Sequence, residues 1–124
     1  IFVHPNPREP FGIAPLEAMA SGVPTVAPNA GGILSYATND NAWLVEPTGE
    51  AFAGAVREVV ADPELRARKT ELALRTALAN TREASTDNLI ATYDRIFDDF
   101  QSRKDLFTDS ADSKKFNYVE LTKD

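Results

Sequence analysis

Apolar residues in the first fifty positions gather in three short blocks: Ile1-Phe2-Val3, Val23-Pro24-Thr25-Val26-Ala27 and Ala42-Trp43-Leu44-Val45. They are continuous rather than alternating, as expected of strands buried on both faces in a parallel sheet. The first block extends to His4 and is closed by Pro5-Asn6-Pro7. A helix is predicted between the first two strands. Proline is tolerated only in a helix's first turn, so Pro15 places the start at Ile13 or Ala14. The helix runs to about Ala20 and ends at Ser21-Gly22, with Gly22 suited to the left-handed position just past the C-terminus. Pro28-Asn29-Ala30-Gly31-Gly32 reads as a tight loop, Ile33 to Ala37 as a short helix and Asn39-Asp40-Asn41 as a turn. The alternation of strand and helix predicts an α/β layer with right-handed crossovers.

The pattern then becomes helical. Phe52, Val56, Val59 and Val60 fall at i, i+4, i+7 and i+8, which predicts one buried helical face. Asp62-Pro63 restarts the chain, with Asp62 as N-cap and Pro63 in the first helical position, and that helix runs to about Asn80. Ser85 or Thr86 is the expected cap of a last helix, whose stripe Leu89, Tyr93, Ile96, Phe97 and Phe100 is read as a packing face. From Gln101 to Asp124 the composition turns polar. This segment is expected to be a mobile tail, with a weak extended piece at Phe116–Leu121.

The chain has 124 residues and 43% apolar content, which suits one small packed domain. It has no cysteine and a single histidine, His4, so disulfides, thiolate metal sites and multi-histidine metal sites are excluded. No metal and no cofactor is expected. No apolar run approaches the roughly 20 residues that cross a bilayer, and no signal peptide is visible. The expected location is cytoplasmic, with peripheral membrane association where an acceptor is lipid-linked. Because a buried strand opens the chain with no methionine before it, the sequence is read as part of something longer.

The net charge is −6, and Arg8 is the only cation in residues 1–50. Nucleic-acid binding needs clustered Lys and Arg, so no nucleic-acid partner is expected. A diphosphate ligand would also have to find its cations elsewhere.

The richest chemistry lies in Glu9-Pro10-Phe11-Gly12-Ile13-Ala14-Pro15-Leu16-Glu17. Glu9 falls on the loop entering the first helix, and Glu17 falls near its first turn. Two carboxylates beside the free amides of a helix start suit a polyhydroxylated ligand that also carries phosphate. Carboxylate oxygens accept hydroxyl hydrogen bonds, while the amides and the helix dipole favour negative charge.

The run from Pro5 to Ala27, with Glu9, Phe11-Gly12-Ile13 and Glu17-Ala18-Met19-Ala20-Ser21-Gly22-Val23-Pro24, closely resembles the retaining GT-B glycosyltransferases with two glutamates at this spacing. That large family is the group 1 glycosyl transferases, which include sucrose-phosphate synthases and many bacterial mannosyl- and glucosyltransferases. Gly31-Gly32, Trp43-Leu44-Val45-Glu46-Pro47 and Asp62-Pro63-Glu64-Leu65-Arg66 also fit, so the resemblance covers roughly residues 1–100. It implies a partial Rossmann-like fold, the later half of a carboxy-terminal donor-binding domain, followed by C-terminal helices. It further implies that an N-terminal domain supplies the acceptor site and the cations for the diphosphate.

On this resemblance Glu9 is the catalytic-site residue and contacts the donor-sugar hydroxyls. Backbone amides of Phe11, Gly12 and Ile13 approach sugar and phosphate, and Glu17 accepts from the ribose hydroxyls. The donor is a nucleotide diphosphate sugar and the acceptor a sugar or lipid-linked sugar. This chain departs from the family at Ser35, often a glutamate; at Ala42, often a glycine; and at Thr86-Asp87, often Trp-Asp.

Other residues have plainer readings. His4 and Trp43 are expected to be structural. Gly31-Gly32 fits a turn requirement or a phosphate-side loop equally well. Two rival functions stay open: a non-catalytic truncated paralogue or interaction module, and a sugar-nucleotide epimerase or phosphorylase on the same fold.

Overall fold

The computed structural model describes residues 1–104. Three parallel strands, β1 (Phe2–Val3), β2 (Thr25–Pro28) and β3 (Trp43–Val45), form one sheet in the order β1-β2-β3. Phe2 pairs with Thr25 and Val3 with Val26 on one side of β2; Val26 pairs with Trp43 and Ala27 with Leu44 on the other. Every residue of the central strand is buried, as its unbroken apolar run predicts.

The first helix, α1, spans Ile13–Ala20, as Pro15 predicted. Its C-terminus is a Schellman closure: Gly22, at φ +68°, donates to the Met19 carbonyl at 3.1 Å, and Val23 donates to Ala18 at 2.9 Å. This closure explains why β2 begins at Thr25 rather than at Val23. The Val23 N–H is already used, and Pro24 has none to give.

Between β2 and β3 the expected helix over Ile33–Ala37 is a single 3₁₀ turn, Gly32–Ser35. Its start is fixed by what Gly32 packs against, described below. Asn41 closes the following turn. Its side chain accepts from Thr38 N at 2.8 Å and donates to the Tyr36 carbonyl at 3.0 Å and to Thr76 Oγ1 at 2.9 Å.

Helices α2 (Gly49–Ala61) and α3 (Pro63–Ala79) complete the first part of the chain. Thr48 caps α2 and Asp62 caps α3, accepting from Leu65 N at 2.8 Å with Pro63 in the first helical position. The buried face of α2 is Phe52, Ala55 and Val59. Val60, expected on that face, is 63% exposed. At about 100° per residue, i+8 lies about 80° from Phe52, while Ala55 and Val59 straddle the centre of the stripe.

Strand alternation divides the core. Ala27 and Leu44 join Met19, Ile33, Tyr36, Ala73 and Ala77 on the α1 and α3 side, while Val26 and Trp43 join Phe52, Ala55 and Val59 under α2. Trp43 is buried, as expected of a structural residue. Lys69 lies over its ring at 4.5 Å and donates to the Ala42 carbonyl at 2.9 Å. Burial pulls the Lys69 ammonium below its ordinary pKa, with Glu58 and Asp40 opposing.

The chain divides into two compact units at Arg82/Glu83. Helix α4 is continuous over Arg82–Ser102, so Ser85 and Thr86 are interior helical residues and not its cap. Arg82, Glu83 and Ala84 favour helix well enough to carry the start back past them. The stripe forms on α4, but Leu89, Tyr93, Ile96, Phe97 and Phe100 are each at least 40% exposed and no α4 residue is buried. Periodicity predicts a stripe; it does not predict what covers it. Of the expected tail, Gln101 and Ser102 belong to α4, and residues 105–124, including Phe116–Leu121, lie outside the described residues. No helix among the described residues is long and apolar enough to cross a membrane.

Candidate functional site

Glu9, Phe11 and Gly12 lie on the loop between β1 and α1, beyond the carboxyl end of β1, and Ile13 and Glu17 lie on α1 itself. Open parallel sheets bind ligands at this edge. Asn6 starts the loop as a turn-former: its Oδ1 accepts from Arg8 N at 3.0 Å, and its Nδ2 donates to Glu9 Oε2 at 3.0 Å. The same carboxylate oxygen lies 3.8 Å from His4 Nε2, a buried nitrogen with no hydrogen-bond partner. His4, read from the sequence as structural, thus stands beside Glu9. The signal available in the sequence was its position at a strand's carboxyl end.

Gly12 is the N-cap of α1 and sits at φ +91°, a left-handed conformation that suits glycine. It contributes no capping side chain, and the first turn of α1 holds no acidic residue. Pro15, third in the helix, has no N–H. The Ile13 and Ala14 amides are therefore the open donors at the positive end of α1. Ile13 is 64% exposed, and neither amide has a partner among the described residues.

Three residues from the far side of β2 hold this loop. Gly32 N donates to the Glu9 carbonyl at 2.7 Å. A β-carbon on Gly32 would stand 1.8 Å from the Pro10 carbonyl oxygen, and one on Gly31 would stand 2.8 Å from Pro7 O. The two glycines are bare because loop backbone presses against them. Of the two sequence readings for Gly31-Gly32, the turn requirement holds at Gly31, which sits at φ +82°, and neither reading described the packing against the loop. The third residue is Tyr36, which sequence reasoning did not single out. Its hydroxyl donates to the Gly12 carbonyl at 2.5 Å, and its ring lies 5.1 Å from that of Phe11. Burial, and secondarily the charge of Glu9, push the Tyr36 hydroxyl up to about 12.

The structure gathers Glu9, Phe11, Gly12 and Ile13 at one end of α1. Glu17 is the fifth residue of the helix, one place beyond the first turn, and is exposed. With Ile1, Phe2, Ala14, Ala18, Ser21 and Val23 it lines an open hollow of about 340 Å³ that does not include Glu9. Its carboxylate has no partner among the described residues. The loop can therefore present a carboxylate and open amides together, with a second acidic position one turn along.

Three parallel strands in sequential order, with an acidic loop and a bare helix start at the carboxyl end of the first, define an α/β layer with its candidate site at the strand ends. The family model described as "Glycosyl transferases group 1" matches residues 1–75, and the chain belongs to that family. It is 37% identical over 107 residues to the lipopolysaccharide core biosynthesis mannosyltransferase LpcC of Rhizobium leguminosarum bv. viciae, covering 82% of this chain and 30% of that protein. It is 34% identical over 88 residues to the GDP-mannose-dependent alpha-(1-6)-phosphatidylinositol dimannoside mannosyltransferase of Mycobacterium tuberculosis, covering 71% of this chain and 23% of that one. The fold is similar to that of sucrose-phosphate synthase from Thermosynechococcus elongatus, with a TM-score of 0.67 and 30% identity over 77% of this chain and 25% of that one. It is also similar to Anabaena HepE in complex with UDP and glucose, with a TM-score of 0.63 and 25% identity over 73% of this chain and 26% of that one. These neighbours are GT-B glycosyltransferases, so the α/β class and the GT-B assignment expected from the sequence hold. The chain spans between 23 and 30% of the length of these proteins.

Proposed function

We propose that this chain is the donor-binding part of a retaining glycosyltransferase that moves a hexosyl group from a nucleotide diphosphate sugar to an acceptor hydroxyl. The observation that carries the reading is the Glu9–Ile13 loop: a carboxylate steadied by Asn6, beside a helix start whose amides are open and whose first turn holds no acid. A sugar hydroxyl donates well to a carboxylate, and a phosphate oxygen accepts from helix-terminal amides. The relatives support the ligand class, since one is named as GDP-mannose-dependent and HepE was solved with UDP and glucose.

In this reading Glu9 holds donor-sugar hydroxyls near the reacting carbon. The amides of Phe11, Gly12 and Ile13 meet sugar and phosphate, and Glu17 accepts from the ribose. The positive end of α1 stabilises charge developing on the departing diphosphate. Further cations come from outside residues 1–50, where Arg8 is alone. Because the acceptor half of the cleft is assigned to another domain, the 124 residues by themselves are proposed to lack transfer activity. The acceptor is a sugar or lipid-linked sugar, and a cytoplasmic site, peripheral to a membrane for a lipid-linked acceptor, goes with it.

The test is titration of the full-length protein with UDP-glucose and GDP-mannose, followed by product analysis. Glu9→Gln should cut turnover by about 100-fold or more while the protein stays folded, and Glu17→Ala should weaken nucleotide binding by roughly 10-fold, the scale of a hydrogen bond to a charged group. Wild-type turnover in Glu9→Gln removes Glu9 from the site. A product epimerised at the sugar, rather than transferred, replaces the transferase reading.

A further inference from the structure

We infer that Tyr36 is a positioning residue for donor recognition: its hydroxyl holds the Gly12–Ile13 peptide so that the Ile13 N–H faces the ligand. The inference rests on the donor-binding reading above. The Gly12–Ile13 bond is trans, since there is no cis peptide among the described residues, so the Gly12 C=O and the Ile13 N–H point in opposite directions. A donor that fixes the carbonyl fixes the amide. Tyr36 Oη is that donor, at 2.5 Å. The other donor, Leu16 N, lies at 3.4 Å, a long contact for a helical hydrogen bond.

The fixing matters because glycine at φ +91° borders several backbone conformations of similar energy. Without an anchor, rotation of this peptide would turn the Ile13 N–H away from the open end of α1. A hydrogen bond to the carbonyl also polarises the peptide and makes its N–H a better donor. Tyr36 is itself a rigid post. It is only 8% exposed, and its carbonyl accepts from Asn41 Nδ2 at 3.0 Å, which ties it to Thr76 of α3. Its ring packs on Phe11 at 5.1 Å. Burial and the charge of Glu9 keep the hydroxyl protonated, and so a donor, throughout the neutral range.

Tyr36→Phe keeps the ring and removes the donor. In the full-length protein the Kd for UDP-glucose or GDP-mannose, whichever the wild type binds, should rise roughly 3- to 10-fold, and the Kd for the matching nucleoside diphosphate should rise equally. The Kd for uridine or guanosine, which lack phosphate, should not change. Loss in all three arms marks a structural role and overturns the inference, as does loss in none. In the 124-residue protein the Ile13 amide resonance should move in Tyr36→Phe while that of Val59, in the α2 core, stays in place. An unmoved Ile13 amide overturns the inference whatever the ligand. Wild-type protein that binds no nucleotide sugar overturns the donor-binding reading and the recognition role together. An Ile13 amide that moves in Tyr36→Phe would then show that the reading about the ligand failed and the coupling of Tyr36 to that peptide did not.

Discussion

Gly32→Ala is the sharpest test of how the candidate loop is held. Gly32 is not among the positive-φ glycines, so alanine could adopt its backbone conformation. The obstacle is space. The new β-carbon would lie 1.8 Å from Pro10 O, 2.2 Å from Pro10 C and 2.6 Å from Phe11 N, all backbone atoms that cannot rotate aside. Restoring an ordinary 3.4 Å contact requires the Glu9–Phe11 backbone or the 3₁₀ turn to retreat by about 1.6 Å. The 2.7 Å bond from Gly32 N to Glu9 O would then be stretched out of range. Overpacking of about 1–3 kcal/mol and a lost backbone hydrogen bond of about 1 kcal/mol give a destabilisation of roughly 2–4 kcal/mol. Urea unfolding measures this directly, with Gly49→Ala as the control because nothing lies within 4 Å of its β-carbon position. The shift also carries Glu9 with it, and a misplacement on the order of 1 Å costs about 100-fold in turnover where geometry is productive. A Gly32→Ala protein within about 0.5 kcal/mol of wild type, the scatter of neutral substitutions, would refute the claim that these two backbones are in contact.

Other substitutions test the framework. Gly54→Ala, inside α2 with only Arg57 Nη2 near at 4.0 Å, should stabilise the protein by about 0.8–1 kcal/mol in the same urea assay. Asp62→Ala removes the acceptor for Leu65 N and should cost about 0.5–2 kcal/mol, with Asp62→Asn restoring most of it. Tyr36 gives a pH signature. The folded protein keeps its proton to about pH 12, whereas an unfolded tyrosine releases it near 10.0. The associated stability is fully present below pH 10 and is lost as pH rises towards 12, a loss on the order of 2 kcal/mol once solvent screening is allowed for. Unfolding free energies at pH 8, 10 and 11.5 should show this decline in wild type, and Tyr36→Phe should lack that component.

Much of the chain was legible because its signals are local. Pro15 set the start of α1, Ser21-Gly22 its end, and Asp62-Pro63 the restart at α3. Each depends on which N–H or carbonyl a residue can offer within one turn, and that is written in adjacent positions. The glutamate loop was legible for the same reason, since helix start, cap glycine and entering carboxylate are neighbours in sequence. Where the sequence misled, the missing information was not local. Val23 was assigned to a strand because it is apolar, but its amide was spent on the Schellman closure. Val60 matched the period of α2 and fell outside the buried arc.

What the sequence determined by itself was therefore the parallel character of the strands, the helix boundaries set by proline, glycine and aspartate, and the acidic loop that carries the family resemblance. Only the tertiary structure decided that Gly31 and Gly32 press on Pro7 and Pro10, that His4 stands beside Glu9, and that Tyr36 reaches Gly12 across 24 residues. Contacts at that separation obey no helical or strand period. They arise when β2 brings the 3₁₀ turn alongside the loop after β1, and close packing then selects the bare glycines and the one hydroxyl that fit.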